Sequence, residues 1–204
     1  MRKESSQLVA AKLKDLRPTQ ITVGLRAVKA IVEEWRGMKA DAREQSLSRR
    51  WFPAVLGPGG DYYITDHHHH GLALLQCGVK EVFLIVMKDL SALEHKPFWM
   101  AMDHHNWVHP YNAKGQRDEF SAIPKKLRGL ADDPYRSLAD QVEKLGGCAK
   151  THACYEEFLW ADYFRSRIAL KKKSDDWDAA VSLALVLARD REAKYLPGWC
   201  GPSG

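Results

Sequence analysis

Four consecutive histidines, His67 to His70, follow Asp66 and precede an apolar stretch. Imidazole nitrogens bind transition metals, donate hydrogen bonds to anions and transfer protons near neutral pH. The run therefore predicts a metal site, a site for a negatively charged group, or a polar helix start without a ligand. An expression tag is a poor explanation, because tags lie at chain termini and this run lies inside the chain.

Helix geometry limits the metal interpretation. Neighbouring residues on a helix diverge, so only pairs such as Asp66/His70 or His67/His70 could share one metal ion. The remaining ligands of a catalytic metal would come from elsewhere, and the segment DHHNWVH at 103–109 could supply them.

The anion interpretation depends on position. A predicted strand at 62–65 leads into a predicted helix, and Asp66 is a suitable N-cap residue. His67 to His69 would then occupy the first helical turn, where backbone N–H groups lack helical partners and the helix dipole is positive. This arrangement predicts a phosphate site, with imidazole donors adding direct hydrogen bonds.

A second group of polar and aromatic residues lies at 103–115, in a segment predicted to be a loop because of Pro110, Asn112 and Gly115. Trp107 could stack on a base, and Asp103 or His109 could serve in acid–base chemistry or bind Mg²⁺. The alternative is a loop anchored by a buried tryptophan.

Three further residues could contact a phosphate or a nucleotide. Thr19 and Gln20, in the segment LRPTQ, are uncharged hydrogen-bonding residues, although a turn begun by Pro18 explains them equally well. Lys150, in GGCAKT, could reach a phosphate as a point charge. The segment is not a P-loop, because Ala149 stands where that loop requires glycine before its lysine.

The order of predicted elements indicates an α+β fold. The predictions are a helix at 25–38, a linker at 42–50, a hairpin of strands at 52–56 and 62–65, a helix after Asp66 ended by Gly78, and a strand at 81–90. A short helix is expected near 97–102, and three amphipathic helices follow Pro124. The predicted organisation is an N-terminal extension at 1–15, an α+β domain at 16–120 and a helical region at 121–204 packed on it.

Charge and composition narrow the class of protein. The net charge is +5, but the first fifty residues hold twelve Lys or Arg against six Asp or Glu. A basic N-terminal segment could contact DNA, or it could be a solvated helix face. No run approaches the roughly 20 apolar residues of a membrane helix, and the four cysteines form no disulfide-rich pattern. We therefore expect a cytoplasmic protein without membrane contact.

The stretch DHHHHGLAL resembles the phosphate-binding motif of the ParB/sulfiredoxin superfamily, an Asp-Gly-His-His-Arg sequence followed by a helix. Asp66 matches the motif's Asp, His67 its Gly, His68 and His69 its two histidines, and His70 its Arg. The chain is most similar to the ParB-like nuclease branch. The other segments that carry the resemblance are LRPTQITVG, WVHPYNAKG, LADDPYRSLA, GGCAKT and EFLWADYF.

The resemblance implies a small mixed sheet with helices and a nucleotide, such as ATP, bound with Mg²⁺. Asp66, His68, His69, Asp103 and His109 are the expected catalytic residues, and Asp66 and Asp103 are the expected metal ligands. The residues expected to contact nucleotide or phosphate are His67, His68, His69, His70, Thr19, Gln20, Trp107 and Lys150.

The expected activity is nucleotide hydrolysis together with DNA nuclease activity. Two alternatives remain open, a kinase acting on a small molecule such as free serine, and a non-catalytic nucleotide-sensing or DNA-associated adaptor. Sulfinic acid reduction is disfavoured, because sulfiredoxin has its reactive Cys where this chain has His68.

Overall fold

The structure, a computed structural model, describes residues 7–170 and 176–202. Its main element is a four-stranded mixed sheet in the order β1-β5-β3-β4. β1 pairs antiparallel with β5, β5 parallel with β3, and β3 antiparallel with β4. The strands are β1 (Gln7–Lys12), β2 (Thr22–Val23), β3 (Trp51–Leu56), β4 (Tyr62–Ile64), β5 (Glu81–Asp89) and β6 (Ala131–Asp132). The predicted hairpin of β3 and β4 and the predicted strand at β5 are confirmed.

Seven α-helices accompany these strands in the described residues. They are α1 (Leu25–Gly37), α2 (Ala40–Arg49), α3 (His68–Gln76), α4 (His95–His104), α5 (Pro134–Lys144), α6 (Glu156–Arg165) and α7 (Trp177–Arg189). The predicted α+β class is confirmed. The predicted linker at 42–50 is wrong, because α2 occupies it. α2 contains good helix formers but buries no residue, so it lacks the apolar period that identified the other helices.

The chain divides into two compact units. The first comprises Met1–Val23, Val28–Asn112 and Gln116–Ala131, and the second comprises Gly24–Ala27, Ala113–Gly115 and Asp132–Gly204. The segment predicted as an N-terminal extension contains β1, an outer strand of the main sheet.

The first unit has two apolar clusters. One lies between the sheet and helices α1 and α3, where Phe52 and Leu84 meet Val28 and Leu72. The other surrounds α4, whose Phe98 and Met102 pack with Val55 and Tyr63. In the described residues no helix is long and apolar enough to cross a membrane.

The second unit has a core formed by α5, α6 and α7. The aromatic stripe of α6, formed by Trp160, Tyr163 and Phe164, is buried in it, which confirms the predicted core role. Asp133 caps α5 by accepting a hydrogen bond from the Tyr135 N–H at 3.0 Å. Burial raises the pKa of the Asp133 carboxyl, although the nearby Arg165 guanidinium opposes the shift.

Candidate functional site

The histidine run forms the start of α3, directly after β4. The helix begins at His68, and His67 is its N-cap residue in the left-handed conformation, with φ 64° and ψ 26°. The predicted N-cap role of Asp66 is therefore wrong by one position. Asp66 instead accepts a hydrogen bond from the His67 N–H at 2.6 Å, which holds the turn that aims the helix N-terminus.

The left-handed conformation at His67 has a counterpart in the motif that the run resembles. Left-handed backbone is unfavourable for residues with a Cβ atom and costs glycine little. The resemblance places glycine at this position. His67 thus keeps the backbone shape of the motif without its residue type, and its ring lies edge-on to Phe52 at 5.9 Å.

His68 is part of the protein interior, with only 2% of its surface exposed. Its Nε2 atom accepts a hydrogen bond from the Thr19 backbone N–H at 3.1 Å. An imidazole nitrogen accepts only through its lone pair, so Nδ1 carries the ring proton. Nε2 is occupied by this bond, and a phosphate contact through His68 would have to use Nδ1–H.

Thr19 connects three separate segments of the chain. Its N–H binds His68, its hydroxyl donates to the Ile64 carbonyl at 2.9 Å, and its carbonyl accepts the His109 N–H at 2.9 Å. Thr19 and Gln20 expose only 1% and 3% of their surfaces. Thr19 therefore holds neighbouring segments in place, and nucleotide contacts by Thr19 and Gln20 remain predictions.

The remaining histidines of the run are more accessible. His67, His69 and His70 are half-buried at the first turn of α3, while Asp66 is exposed. The rings of His67 and His70 meet edge to face with their centroids 6.0 Å apart. These three imidazoles, together with the N-terminal end of α3, form the accessible part of the candidate site.

The second predicted group is partly helical. Asp103 and His104 lie in the last turn of α4, so the predicted loop begins only at His105. Asp103 accepts a hydrogen bond from Arg117 at 2.8 Å, and this bond raises the pKa of the Arg117 guanidinium. A metal or catalytic role for Asp103 would have to compete with this ion pair.

The aromatic residues of that group stack on their neighbours. The Trp107 ring is stacked on His105 with a centroid distance of 4.4 Å, and the His109 ring on Tyr111 at 4.1 Å. His109 is half-buried and joined to the α3 start through the Thr19 carbonyl. Stacking of Trp107 on a base remains a prediction.

Lys150 belongs to the second unit, where its Nζ lies 3.8 Å from a carboxylate oxygen of Glu143. Within 7–170 and 176–202, no group of three or more His, Cys, Asp or Glu is placed to hold a metal ion. The metal roles of Asp66 and Asp103 therefore remain predictions.

Two contacts that position the site were not predicted from the sequence. Arg17 donates two hydrogen bonds to Asp61, at 3.0 and 2.6 Å, and so fixes the segment that carries Thr19 beside β4. The Arg117 contact to Asp103 is the second. Each partner is far away in sequence, and no local spacing pattern could have indicated either pair.

Comparison with known proteins agrees with this architecture. Residues 9–166 match the model of the family described as "Putative ParB-like nuclease". The chain belongs to this ParB-like family. The predicted resemblance is thereby confirmed over most of the chain.

The ParB-like chain is also similar to a solved structure, the crystal structure of protein Atu1540 from Agrobacterium tumefaciens. The two are 41% identical, the match covers 97% of this chain and 100% of that one, and the TM-score is 0.89. Comparison with curated proteins gives no match.

Proposed function

We propose that this chain is a hydrolase that binds ATP or a related nucleotide through its phosphates at the N-terminus of α3 and cleaves a phosphate bond. One observation carries the proposal. Hydrogen bonds through Thr19 join the first residue of α3 to the segment that contains His109. They connect a helix N-terminus, which favours anions, to the backbone of a residue whose half-buried imidazole can transfer protons. Membership of a ParB-like nuclease family supports hydrolysis as the reaction type.

The proposed roles follow from burial. His68 is a positioning residue, because its buried ring holds Thr19. His69 and His70, which are half-buried in the first turn of α3, would donate hydrogen bonds to phosphate oxygens together with the backbone of that turn. His109 would act as general base.

The proposed reaction is a displacement at phosphorus. A water oxygen forms a bond to phosphorus while the bond from phosphorus to the leaving oxygen breaks. His109 accepts the proton of the attacking water, and the leaving oxygen departs as an alkoxide or phosphate group. The positive end of α3 and the imidazole donors stabilise the charge that grows on the phosphoryl oxygens.

The donor set is compatible with Mg²⁺. This ion is usually held by one or two carboxylates together with substrate phosphates. Asp66 is an exposed carboxylate at the start of α3, whereas Asp103 is engaged by Arg117. We assign the role of metal ligand to Asp66, where the ion would neutralise phosphate charge.

The first test is calorimetric titration of the chain with ATP, ADP and CTP in the presence of Mg²⁺, followed by assays of phosphate release and DNA cleavage. His69→Ala is expected to weaken nucleotide binding by about tenfold, since one hydrogen bond to a charged group contributes roughly 1.5 kcal/mol. The matched control is His152→Ala, an exposed histidine of the second unit, which should bind as the wild type does.

His109→Asn separates binding from chemistry. We expect it to bind nucleotide like the wild type and to lose turnover by at least about a hundredfold, the usual effect of removing a general base. The proposal is wrong if no nucleotide binds while Zn²⁺ or Ni²⁺ binds stoichiometrically. Binding without phosphate release or DNA cleavage would instead identify a nucleotide sensor.

A further inference from the structure

One face of the main sheet carries an exposed apolar surface. Strand pairing places Ala10 and Trp51 on either side of Phe83, and Leu8 and Pro53 on either side of Ile85. Side chains of paired residues point to the same face of a sheet. Leu8, Trp51 and Phe83 expose 56%, 46% and 39% of their surfaces. We call this surface the open face; its residues are Leu8, Ala10, Trp51, Pro53, Phe83 and Ile85.

The open face is the part of one sheet surface on which Leu8, Trp51 and Phe83 remain exposed. The alternating residues Phe52 and Leu84 point to the opposite face and are fully buried against α1 and α3. On the side of the open face, α4 packs on Val55 and Tyr63, which lie farther along β3 and β4. Trp51 and Pro53 precede Val55 on β3 and stay accessible. Isolated exposed apolar residues are ordinary, but a contiguous group on three neighbouring strands marks a binding surface.

Two aromatic residues of this surface lie on adjacent strands. Trp51 and Phe83 are register partners on adjacent strands, which lie roughly 4.8 Å apart. The Trp51 indole is oriented by a hydrogen bond from Nε1 to the Ser48 carbonyl at 3.2 Å. Aromatic side chains on the open face of a sheet are a common platform for unpaired bases, because every base has a π-face on which to stack.

Basic residues border one end of the open face. Lys12 pairs with Glu81 at the ends of β1 and β5, and the Leu13 N–H bonds the Lys80 carbonyl beside them. Arg49, the last residue of α2, lies two positions before Trp51. Lys12, Arg49 and Lys80 are exposed and outnumber the exposed Glu81 carboxylate beside Lys12, so this end of the surface favours a polyanion.

We propose that the open face binds single-stranded nucleic acid, with bases stacked on Trp51 and Phe83 and phosphates held by Lys12 and Arg49. A duplex buries its base faces and cannot use this platform. The aliphatic members of the surface also suit a protein partner, but such a partner does not account for the basic border. This site lies on the sheet face opposite α3 and does not depend on phosphate-bond cleavage at the α3 N-terminus.

The test is fluorescence anisotropy with a labelled twelve-nucleotide oligothymidine in EDTA, so that binding is measured without turnover. The Trp51→Ala/Phe83→Ala double variant should bind at least about tenfold more weakly, since stacking on one aromatic side chain accounts for about that much or more. Trp51→Phe keeps a ring and should retain most of the affinity. Tyr195→Ala, which removes a 71% exposed aromatic residue of the second unit, is the matched control and should bind as the wild type does.

The basic border has a separate readout. Lys12→Gln combined with Arg49→Gln should reduce the slope of log K against log salt by about 1.4, which is about 0.7 for each lost phosphate contact to a single strand. Circular dichroism of each variant verifies the fold.

Three outcomes overturn the proposal: a wild type that does not bind the oligonucleotide at low salt, equal binding by the double aromatic variant, or preference for a duplex of the same length. Concentration-dependent self-association that Trp51→Ala abolishes, without oligonucleotide binding, assigns the open face to a protein partner. Nucleotide hydrolysis by the double variant should persist, so failure here is distinguishable from failure of the proposed hydrolase.

Discussion

Replacing His68 with phenylalanine tests whether this histidine positions the site. Phenylalanine keeps a ring of similar size in a place where only 2% of the residue is exposed, but it offers no acceptor to the Thr19 N–H. Thr19 is 1% exposed, so its N–H would remain buried without this bond. An unsatisfied buried donor costs about 1–3 kcal/mol of folding free energy.

Urea denaturation measures this cost. With an m-value of about 2 kcal/mol per molar urea, the unfolding midpoint should fall by about 0.5–1.5 M. Amide exchange offers a local measurement, because the Thr19 amide should exchange about five to 150 times faster in the variant. His69→Phe is the control. It changes a half-buried neighbour on the same helical turn, so neither the urea midpoint nor the exchange rate of the Thr19 amide should change by a comparable amount.

Equal urea midpoints for His68→Phe and His69→Phe, with unchanged exchange at Thr19, would refute the reasoning. Such a result would mean that the Thr19 N–H has another acceptor and that His68 does not hold this segment. A midpoint that falls while nucleotide binding persists would leave the structural role intact. Residues other than His68 would then position the phosphate site.

Three further predictions follow from backbone geometry and burial. His67→Gly should leave stability unchanged or raise it by up to about 1 kcal/mol relative to His67→Ala in urea denaturation, because glycine accepts the left-handed conformation without strain. Burial raises the pKa of the Cys148 thiol to about 12, so the exposed Cys154 and Cys200 should react with a disulfide reagent at pH 8 while Cys148 does not. Mass spectrometry identifies the labelled residues, and rapid labelling of Cys148 would contradict this prediction. Burial also raises the pKa of the Glu143 carboxyl, so the folded wild type loses stability as the pH rises from the ordinary glutamate pKa through the raised one. Glu143→Gln avoids this loss and should become more stable relative to the wild type across that pH range in denaturation curves. A stability difference between the two proteins that does not change with pH would disprove the prediction.

Local patterns were sufficient for most of the fold. The apolar period of α1 and the apolar runs of β3 and β5 are properties of neighbouring residues, and they predicted these elements correctly. Gly78, with φ 79°, ends α3 as predicted, because the N–H groups of Gly78 and Val79 bond the carbonyls of Leu75 and Leu74. Prediction failed at α2, where helix propensity was present but no buried stripe accompanied it.

Residue types in the histidine run determined which chemistry the site can support, and the strand before it predicted a helix N-terminus. Only the tertiary structure decided which histidine is used for which purpose. His68 turns inward because Thr19, 49 positions away, presents a backbone donor to it, while His69 remains accessible. That difference depends on how β4, α3 and the Thr19 segment pack, and four identical residues in a row carry no information about it.

The open face also depends partly on the sequence and partly on the tertiary structure. The sequence predicted that Phe83 lies in a strand, because it belongs to an apolar run with β-propensity. Trp51 directly precedes the predicted strand at 52–56, and the structure shows it as the first residue of β3. The adjacency of Trp51 and Phe83 depends on the parallel pairing of β3 with β5, and they stay exposed while α4 packs farther along the sheet on Val55 and Tyr63. Strand pairing and helix placement are long-range contacts whose free energies depend on the whole core, so the tertiary structure alone decided that these two rings share an accessible surface.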